Sequence, residues 1–359
     1  MSPAETTRQP TRTSATRTRP VDRPRPSDAD AKTAARRSWP RRIGRRFIQM
    51  VAAVLVLALI AMVMQAIAER RDAAAHPPPG EHVELPDGRH LHLQIAGEHH
   101  NGPTVIFEAG AGAHSDLWAW IQPAIAEHAT AVSYDRAGLG WSDRSDNGPD
   151  PYAVVGDLRD ALAARGLPGP YVLVGHSLGA HYVRAFADTH PEDVVGMVLV
   201  DPSHEEQSVI TGAPEDMGMM FTAFRVAARL GILRFYNPMV TDVHALPEPQ
   251  RSRALSHLAS TGTVRQFVAE MRAIDEIGAQ LPTESEALGD LPLRILIATE
   301  SANPGDQQMI AAWAELKAEM PALSQQGEAL VFAQANHQSI VTEEEHAASV
   351  AEVISGLLE

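Results

Sequence analysis

Residues 47–68, from Phe47 to Ala68, are apolar around every face a helix would have, and only Gln49 and Gln65 are strongly polar. A helix packed on a soluble core normally keeps a polar stripe. This one has none. Wound as an α-helix, the segment rises about 33 Å, enough to cross a hydrocarbon core of about 30 Å. A cleaved signal is the rival reading, because Ala66-Ile67-Ala68 has the small-x-small form of a cleavage site. Signal cores run to roughly 7–15 residues, shorter than this run, so a retained transmembrane helix is expected.

Behind it, residues 69–82, with Ala73 to Ala75 and Pro77 to Pro79, read as a short, stiff linker. From Val83 the pattern changes again. Pro86-Asp87-Gly88 marks a turn between two strand-like runs. Short apolar runs then follow at Val105–Phe107, Ala131–Tyr134, Tyr171–Val174 and Val194–Val200. Helical periodicity intervenes at Val154, Val155, Leu158 and Leu162, closed by Gly166. Strands alternating with helices predict a mostly parallel sheet covered on both faces. Residues 203–290 break the rhythm with helical stretches at Met217–Leu233 and Gln250–Ile277, interrupted by Pro214, Pro238, Pro247 and Pro249. Strand runs resume at Leu293–Ala298 and Ala329–Ala333, and Glu343–Leu358 ends the chain as an amphipathic helix. The expected architecture is an α/β core with a helical insertion of domain size.

Charge divides the chain in the same way. The whole carries −15, but residues 1–46 carry +9 and the remainder −24. Residues 1–46 are Arg-rich and nearly free of large apolar side chains, and their first 40 are also rich in Pro, Ser and Thr, so a disordered basic tail is expected. Arg41, Arg42, Arg45 and Arg46 precede the apolar run closely, which favours a cytoplasmic N-terminus and an extracytoplasmic folded domain. The acidic body argues against nucleic acid as a partner. The absence of cysteine excludes disulfides, thiolate metal sites and a cysteine nucleophile.

The sharpest chemical motif is Gly175-His176-Ser177-Leu178-Gly179, between the strand run Tyr171–Val174 and a helical run. A serine on a tight strand-to-helix turn needs slim neighbours and stands out of the sheet at a helix N-terminus, the setting of a nucleophile elbow. The segment Ser133–Asp143 contains Asp135-Arg136-Ala137-Gly138-Leu139-Gly140-Trp141-Ser142, and Val105–Gly112 precedes it as a strand and loop. In these three segments residues 83–359 resemble the α/β-hydrolase superfamily, in its cap-bearing esterase and lipase-like branch.

That resemblance implies a Ser-acid-His order along the chain. Ser177 would be the nucleophile. His337, one of 16 histidines, stands in the loop after the last strand run, where the family carries its base. The family's usual acid slot, after Leu293–Ala298, falls near Ala302 and Asn303, which are not acids. Asp306 lies beyond it, and Asp201 ends the preceding strand run. Asp201 is favoured, since its strand end points to the same sheet edge as the histidine loop. Backbone N–H groups of Leu178 and Ala111 would form the oxyanion hole. No cofactor is implied.

His90 and His92 share one face of a strand but lack a recognisable metal-ligand set. Gly110-Ala111-Gly112 lacks the third glycine of a dinucleotide fingerprint. Trp118, Trp120, Met217, Met219, Met220, Phe221 and Phe224 are candidates for an apolar pocket or for plain core. The expected activity is hydrolysis of an ester of a hydrophobic small molecule by a membrane-anchored enzyme. The alternatives are a catalytically silent binding protein of the same fold, or a cofactor-free perhydrolase or C–C hydrolase using the same triad.

Overall fold

The structure, a computed structural model, describes residues 28–211, 217–237, 243–301 and 306–358, with side chains from residue 44 onward. The chain divides into two compact units, Met1–Leu57 and Ala58–Glu359.

Helix α1 (Asp28–Ala75) carries the apolar run. Its Gly44–Ala75 portion is long and apolar enough to cross a membrane. The helix is longer at both ends than the sequence pattern suggests. It takes in residues 28–46 of the expected disordered tail, where Ala, Lys and Arg are good helix formers and Asp28 and Asp30 suit a helix N-terminus. It also takes in residues 69–75 of the expected linker, whose Glu, Arg and Ala side chains favour helix equally. Residues 1–27 of that tail lie outside the described residues.

The second unit is organised by one eight-stranded sheet in the order β1-β2-β4-β3-β5-β6-β7-β8. Strand β1 (Glu81–Glu84) begins two residues before the expected start of the domain and pairs antiparallel with β2 (His90–Ala96) across the Pro86-Asp87-Gly88 turn. β2 is also antiparallel to β4 (Ala131–Tyr134). The remaining neighbours are parallel: β3 (Thr104–Glu108), β5 (Tyr171–His176), β6 (Val194–Val200), β7 (Leu293–Ala298) and β8 (Gly327–Phe332). β3, β4 and β5 are buried along their whole length, as strands covered on both faces must be.

Crossover helices follow the sequence cues closely. Before α3 (Pro151–Arg165), Asp150 accepts a hydrogen bond from the Ala153 N–H at 2.8 Å, and proline opens the first turn. Gly166 ends it in the left-handed region at φ 74°. The other core helices are α2 (Ile121–Ile125), α4 (Gly179–Thr189), α9 (Gln307–Glu319), α10 (Ser339–Thr342) and α11 (Glu344–Ser355). The insertion between β6 and β7 is helical: α5 (Gln207–Thr211), α6 (Gly218–Arg229), α7 (Gln250–Leu258) and α8 (Thr261–Gly278). One helical stretch, 250–277, is split in two. Ser260 turns the chain at extended φ/ψ and its hydroxyl accepts from the Thr263 N–H at 3.1 Å, starting α8 afresh. Pro214 and Pro238, expected as breakers, lie outside the described residues.

Candidate active site

The parallel strands β5, β6 and β8 all end at one edge of the sheet, where α/β folds gather their chemistry. β5 delivers Ser177. Its backbone sits in the left-handed region at φ 54°, a conformation that costs a non-glycine residue about 1–3 kcal/mol. The surroundings hold it there. The Ser177 N–H donates to the Val200 carbonyl at 3.2 Å, and its own carbonyl accepts from the Ser203 N–H at 3.0 Å. The turn closes only because its flanks are glycine. A Cβ on Gly175 would stand 2.7 Å from the Gly179 carbonyl oxygen, and one on Gly179 would stand 2.3 Å from that of Glu108. Both distances are far shorter than non-bonded carbon and oxygen atoms allow.

His337 comes from the turn after β8. Asn336 Oδ1 accepts from the N–H groups of Gln338 and Ser339, at 3.0 and 2.8 Å, and the Asn336 N–H donates to Ser339 Oγ at 2.9 Å. The imidazole reaches Ser177 Oγ with Nε2 at 2.9 Å and Asp201 Oδ2 with Nδ1 at 2.5 Å. Ser177, His337 and Asp201 thus form one continuous line. Asp201, at φ 42° just past β6, is 2% exposed. Its other oxygen, Oδ1, accepts from the Ala298 N–H at 2.9 Å and from Lys317 Nζ at 2.6 Å. Burial alone would raise this carboxyl. The bond to His337 and the Lys317 ammonium outweigh that and hold it well below the usual carboxylate range. Asp306 stands at the N-terminal boundary of α9, and its carboxyl makes no capping bond there. Ala302 and Asn303 lie outside the described residues.

Three further side chains fix these groups. His176, beside Ser177, donates its Nε2–H to the His337 carbonyl at 2.8 Å. Burial lowers its pKa to about 3, so the ring is neutral and Nε2 carries the proton. Arg136 donates to the carbonyls of Ala109 and Gly110, at 2.5 and 2.7 Å, and so straps down the loop after β3. It also pairs with Glu108, itself bonded to the Tyr134 hydroxyl, and with Glu270 on α8 at 3.0 Å. Burial pushes the Glu108 carboxyl up against the opposing pull of Arg136. Glu270 takes the Gly112 N–H at 2.8 Å. Among the described residues, the neighbouring Ala111 N–H and the Leu178 N–H have no protein acceptor. Both residues line the cavity beside Ser177.

That cavity has a volume of about 410 Å³. The core contributes Ser177, His337 and Lys317, and the insertion contributes Met217, Leu246, Phe267, Met271 and Ile274. Of the proposed aromatic and methionine stripe, only Met217 lines it. Trp118 and Phe221 are buried core, Trp120, Phe224 and their neighbours pack beside it, and Met219 and Met220 face outward. His92 is committed elsewhere: Nδ1 to Asp135 at 2.9 Å, and Nε2 accepting from the Gly80 N–H at 3.0 Å. His90 pairs with Asp143 at 3.1 Å. Lys317, Glu270 and His176 are absent from the sequence-based site. For His176 a signal was present, its place inside the elbow motif. For the other two the sequence carries none.

The alpha/beta hydrolase family model matches residues 105–353. Among curated proteins, the uncharacterised protein YqjL of Bacillus subtilis (strain 168) is 35% identical over 117 residues, 33% of this chain and 46% of that protein. The chain spans less than two thirds of the length of the curated relatives it matches first. Two solved structures share the fold over nearly their whole length. A thermophilic esterase from Thermogutta terrifontis superposes with a TM-score of 0.53 at 18% identity, covering 78% of this chain and 99% of its own. The enol-lactonase from Burkholderia xenovorans LB400 gives 0.54 at 18%, covering 77% and 99%. With well over half of its residues inside the family match, the chain belongs to the alpha/beta hydrolase family.

Proposed function

We propose that the protein is a serine hydrolase, anchored in a membrane by α1, that cleaves a carboxylic ester of a hydrophobic small molecule through an acyl-enzyme. The reading rests on one observation, the unbroken line Ser177 Oγ–His337–Asp201 at 2.9 and 2.5 Å on the wall of an apolar cavity. Ser177 Oγ attacks the ester carbonyl as His337 Nε2 takes its proton. The carbonyl oxygen gains negative charge and is met by the Ala111 and Leu178 N–H groups. Collapse expels the alcohol, which receives the proton from His337. Water, activated by the same imidazole, then attacks the acyl-serine and releases the acid. Asp201 holds the ring with its Nδ1–H inward and balances the imidazolium. Serine, not aspartate, at the elbow separates this chemistry from aspartyl-ester routes. The arginines before the span set the N-terminus on the cytoplasmic side and the hydrolase outside.

The test uses the full chain in detergent. Wild type is expected to hydrolyse p-nitrophenyl butyrate and to react with a fluorophosphonate probe. Ser177→Ala is expected to lose both, with kcat down by about 10⁵-fold or more. Wild-type turnover in that variant would exclude the mechanism, and a wild-type chain inert to both reagents would favour a binding role.

A further inference from the structure

The outer face of the insertion is apolar where a water-facing surface would be polar. On α6, Met219, Ala223 and Val226 recur at helical spacing and share a face, with Met219 86% and Val226 48% exposed. The packed face is the other one, carrying Phe221 and Ala228. The 3₁₀ turn Ile232–Arg234 follows at once, with Ile232 48% exposed, and then come Phe235 at 92% and Tyr236 at 75%. Single exposed apolar residues are ordinary, but a run of large ones marks a surface with a partner.

Helix α1 indicates which partner. Its residues from Ala58 onward belong to the same compact unit as the insertion. Gln65, only 3% exposed, donates to the Ala259 carbonyl at 2.9 Å and accepts from Arg234 Nε at 2.6 Å. One turn later Glu69 accepts from the Thr261 N–H at 2.7 Å, and Asp72 pairs with Arg234 at 2.7 Å. These polar bonds, with Gly231 set against the Gln65 side chain, hold the turn Ile232–Arg234 beside this part of α1. Immediately before Gln65, the side chains of Leu59, Ile60, Met62, Val63 and Met64 are all exposed. The bare apolar helix and the bare apolar turn therefore adjoin within one unit, and the medium that accepts one accepts the other.

Charge narrows the partner further. Arg225 and Arg229, one turn apart, share a flank of α6, with Arg265 on α8 and Arg144 close by. Burial and these like charges together lower the Arg265 pKa, with Glu69 acting in the opposite sense. Among the described residues none of the four arginines forms an ion pair. In a body carrying −24, such a cluster attracts an anionic surface.

We propose that this face of the insertion, Met219, Val226, Ile232, Phe235 and Tyr236 with the arginine cluster beside it, lies in the headgroup region of an anionic bilayer, and that the ester substrate enters from that bilayer. Helix α6 borders both compartments: Met217, at its N-terminus, lines the catalytic cavity, and Met219 faces outward. The substrate clause rests on the serine hydrolase reading, whereas the docking clause does not.

The chain has no cysteine, so Phe235→Cys and Val331→Cys each provide a single labelling position. Val331 is 65% exposed on β8 and serves as the control. The full chain is labelled with an environment-sensitive fluorophore and reconstituted in phosphatidylcholine–phosphatidylglycerol vesicles. Brominated lipid is expected to quench the label at 235 and spare the one at 331. Adding Arg225→Glu and Arg229→Glu to Phe235→Cys is expected to weaken that quenching. A label at 235 that stays open to aqueous iodide overturns the docking. So does one shielded from iodide without lipid quenching, the result expected if a second copy covers the face. For the substrate clause, Phe235→Ser with Tyr236→Ser is expected to slow hydrolysis of p-nitrophenyl palmitate dissolved in the vesicles about tenfold, leaving aqueous p-nitrophenyl acetate untouched. An equal fall for both esters overturns it. Lipid quenching in a chain that hydrolyses neither ester would separate failure of the catalytic reading from failure of the docking.

Discussion

The sheet and the helical insertion meet around one cavity, but they hold their residues in different ways. On the sheet side each group of the proposed triad is over-determined. Ser177 is fixed by three backbone bonds and two obligatory glycines, His337 by an Asn336–Ser339 turn and the His176 ring, and Asp201 by Ala298, Lys317 and His337 itself. The insertion touches this apparatus through a few buried charges. Glu270 reaches Arg136 and Gly112, and Arg253 grips Asp116 at 2.5 and 2.7 Å. Elsewhere it offers apolar side chains to the cavity and to the outside. On the proposed mechanism the sheet would fix where atoms react, and the insertion what reaches them. If that division is right, substitutions on the sheet side change kcat most, and substitutions in the insertion, apart from those at its few buried charged links, change stability and access.

The most severe test of the division is Asp201→Asn. The amide retains shape but presents an N–H or a neutral oxygen to His337 Nδ1, so the imidazole loses its preferred tautomer and its counter-charge. A fall in kcat for p-nitrophenyl butyrate of about 10⁴-fold is expected, with KM little changed. A loss below tenfold would show that the 2.5 Å contact to His337 is structural.

Next is the strongest link between the two regions. Glu270→Ala leaves Arg136 with one fewer buried partner and frees the Gly112 N–H. Breaking a buried pair costs about 3–5 kcal/mol, which a denaturation curve reads directly. Because Gly112 adjoins the Ala111 donor, kcat is expected to fall roughly tenfold as well, a fraction of what a lost oxyanion donor costs. Glu270→Gln keeps an oxygen for Gly112 and should recover most of kcat but less of the stability. A destabilised variant with unchanged kcat would make the insertion a lid without influence on the chemistry, sharpening the division.

A smaller effect probes the sheet side alone. His181 on α4 is fully buried, and neither ring nitrogen has a protein partner. Burial, with Arg184 nearby, lowers its pKa to about 3, as burial does for His176. Below a free value of about 6.5 the unfolded chain binds protons that the folded chain refuses until about pH 3. Stability is thus complete above that upper value and declines as pH falls through the window, by up to about 1.4 kcal/mol per unit for each ring. His181→Leu is expected to raise stability by about 1 kcal/mol at pH 7 and to flatten its decline towards pH 5 in urea titrations. An unaltered slope would mean that the ring takes up its proton in the fold as it does in the unfolded chain.

How much of this was legible in the sequence follows the range of the interaction. Local rules read well: the strand–helix alternation, Gly166 as a helix stop and the tight turn between Tyr171 and Leu178 all depend on neighbours in the chain. Long-range partners do not read at all. Lys317 bonds Asp201 across 116 positions and Glu270 bonds Gly112 across 158. On its own helix each is simply one more charged residue. The methionine stripe fails for a related reason. Composition marks residues 217–224 as apolar, but about 100° of rotation per residue decides which side chain meets the cavity, and that phase is set by packing against α8. The apolar run of α1 is legible as a long apolar helix, whereas Gln65 within it reads as a blemish until Arg234 and Ala259 stand beside it.

The smallest expected effect is also the one that discriminates best between acids. Asp306 begins α9, the helix that carries Lys317 to Asp201. Asparagine serves a helix start as well as aspartate, so Asp306→Asn leaves the helix and its lysine in place. With His337 Nδ1 already bonded to Asp201, the change should move kcat and KM by less than about twofold, within the scatter of surface substitutions. The paired result matters more than either value. If Asp306→Asn lost activity and Asp201→Asn kept it, Asp306 would have to be the carboxylate that serves the imidazole in the working enzyme. The carboxylate that Lys317 and Ala298 hold so firmly would then be a brace for β7, and catalytic position would no longer belong to the strand ends alone.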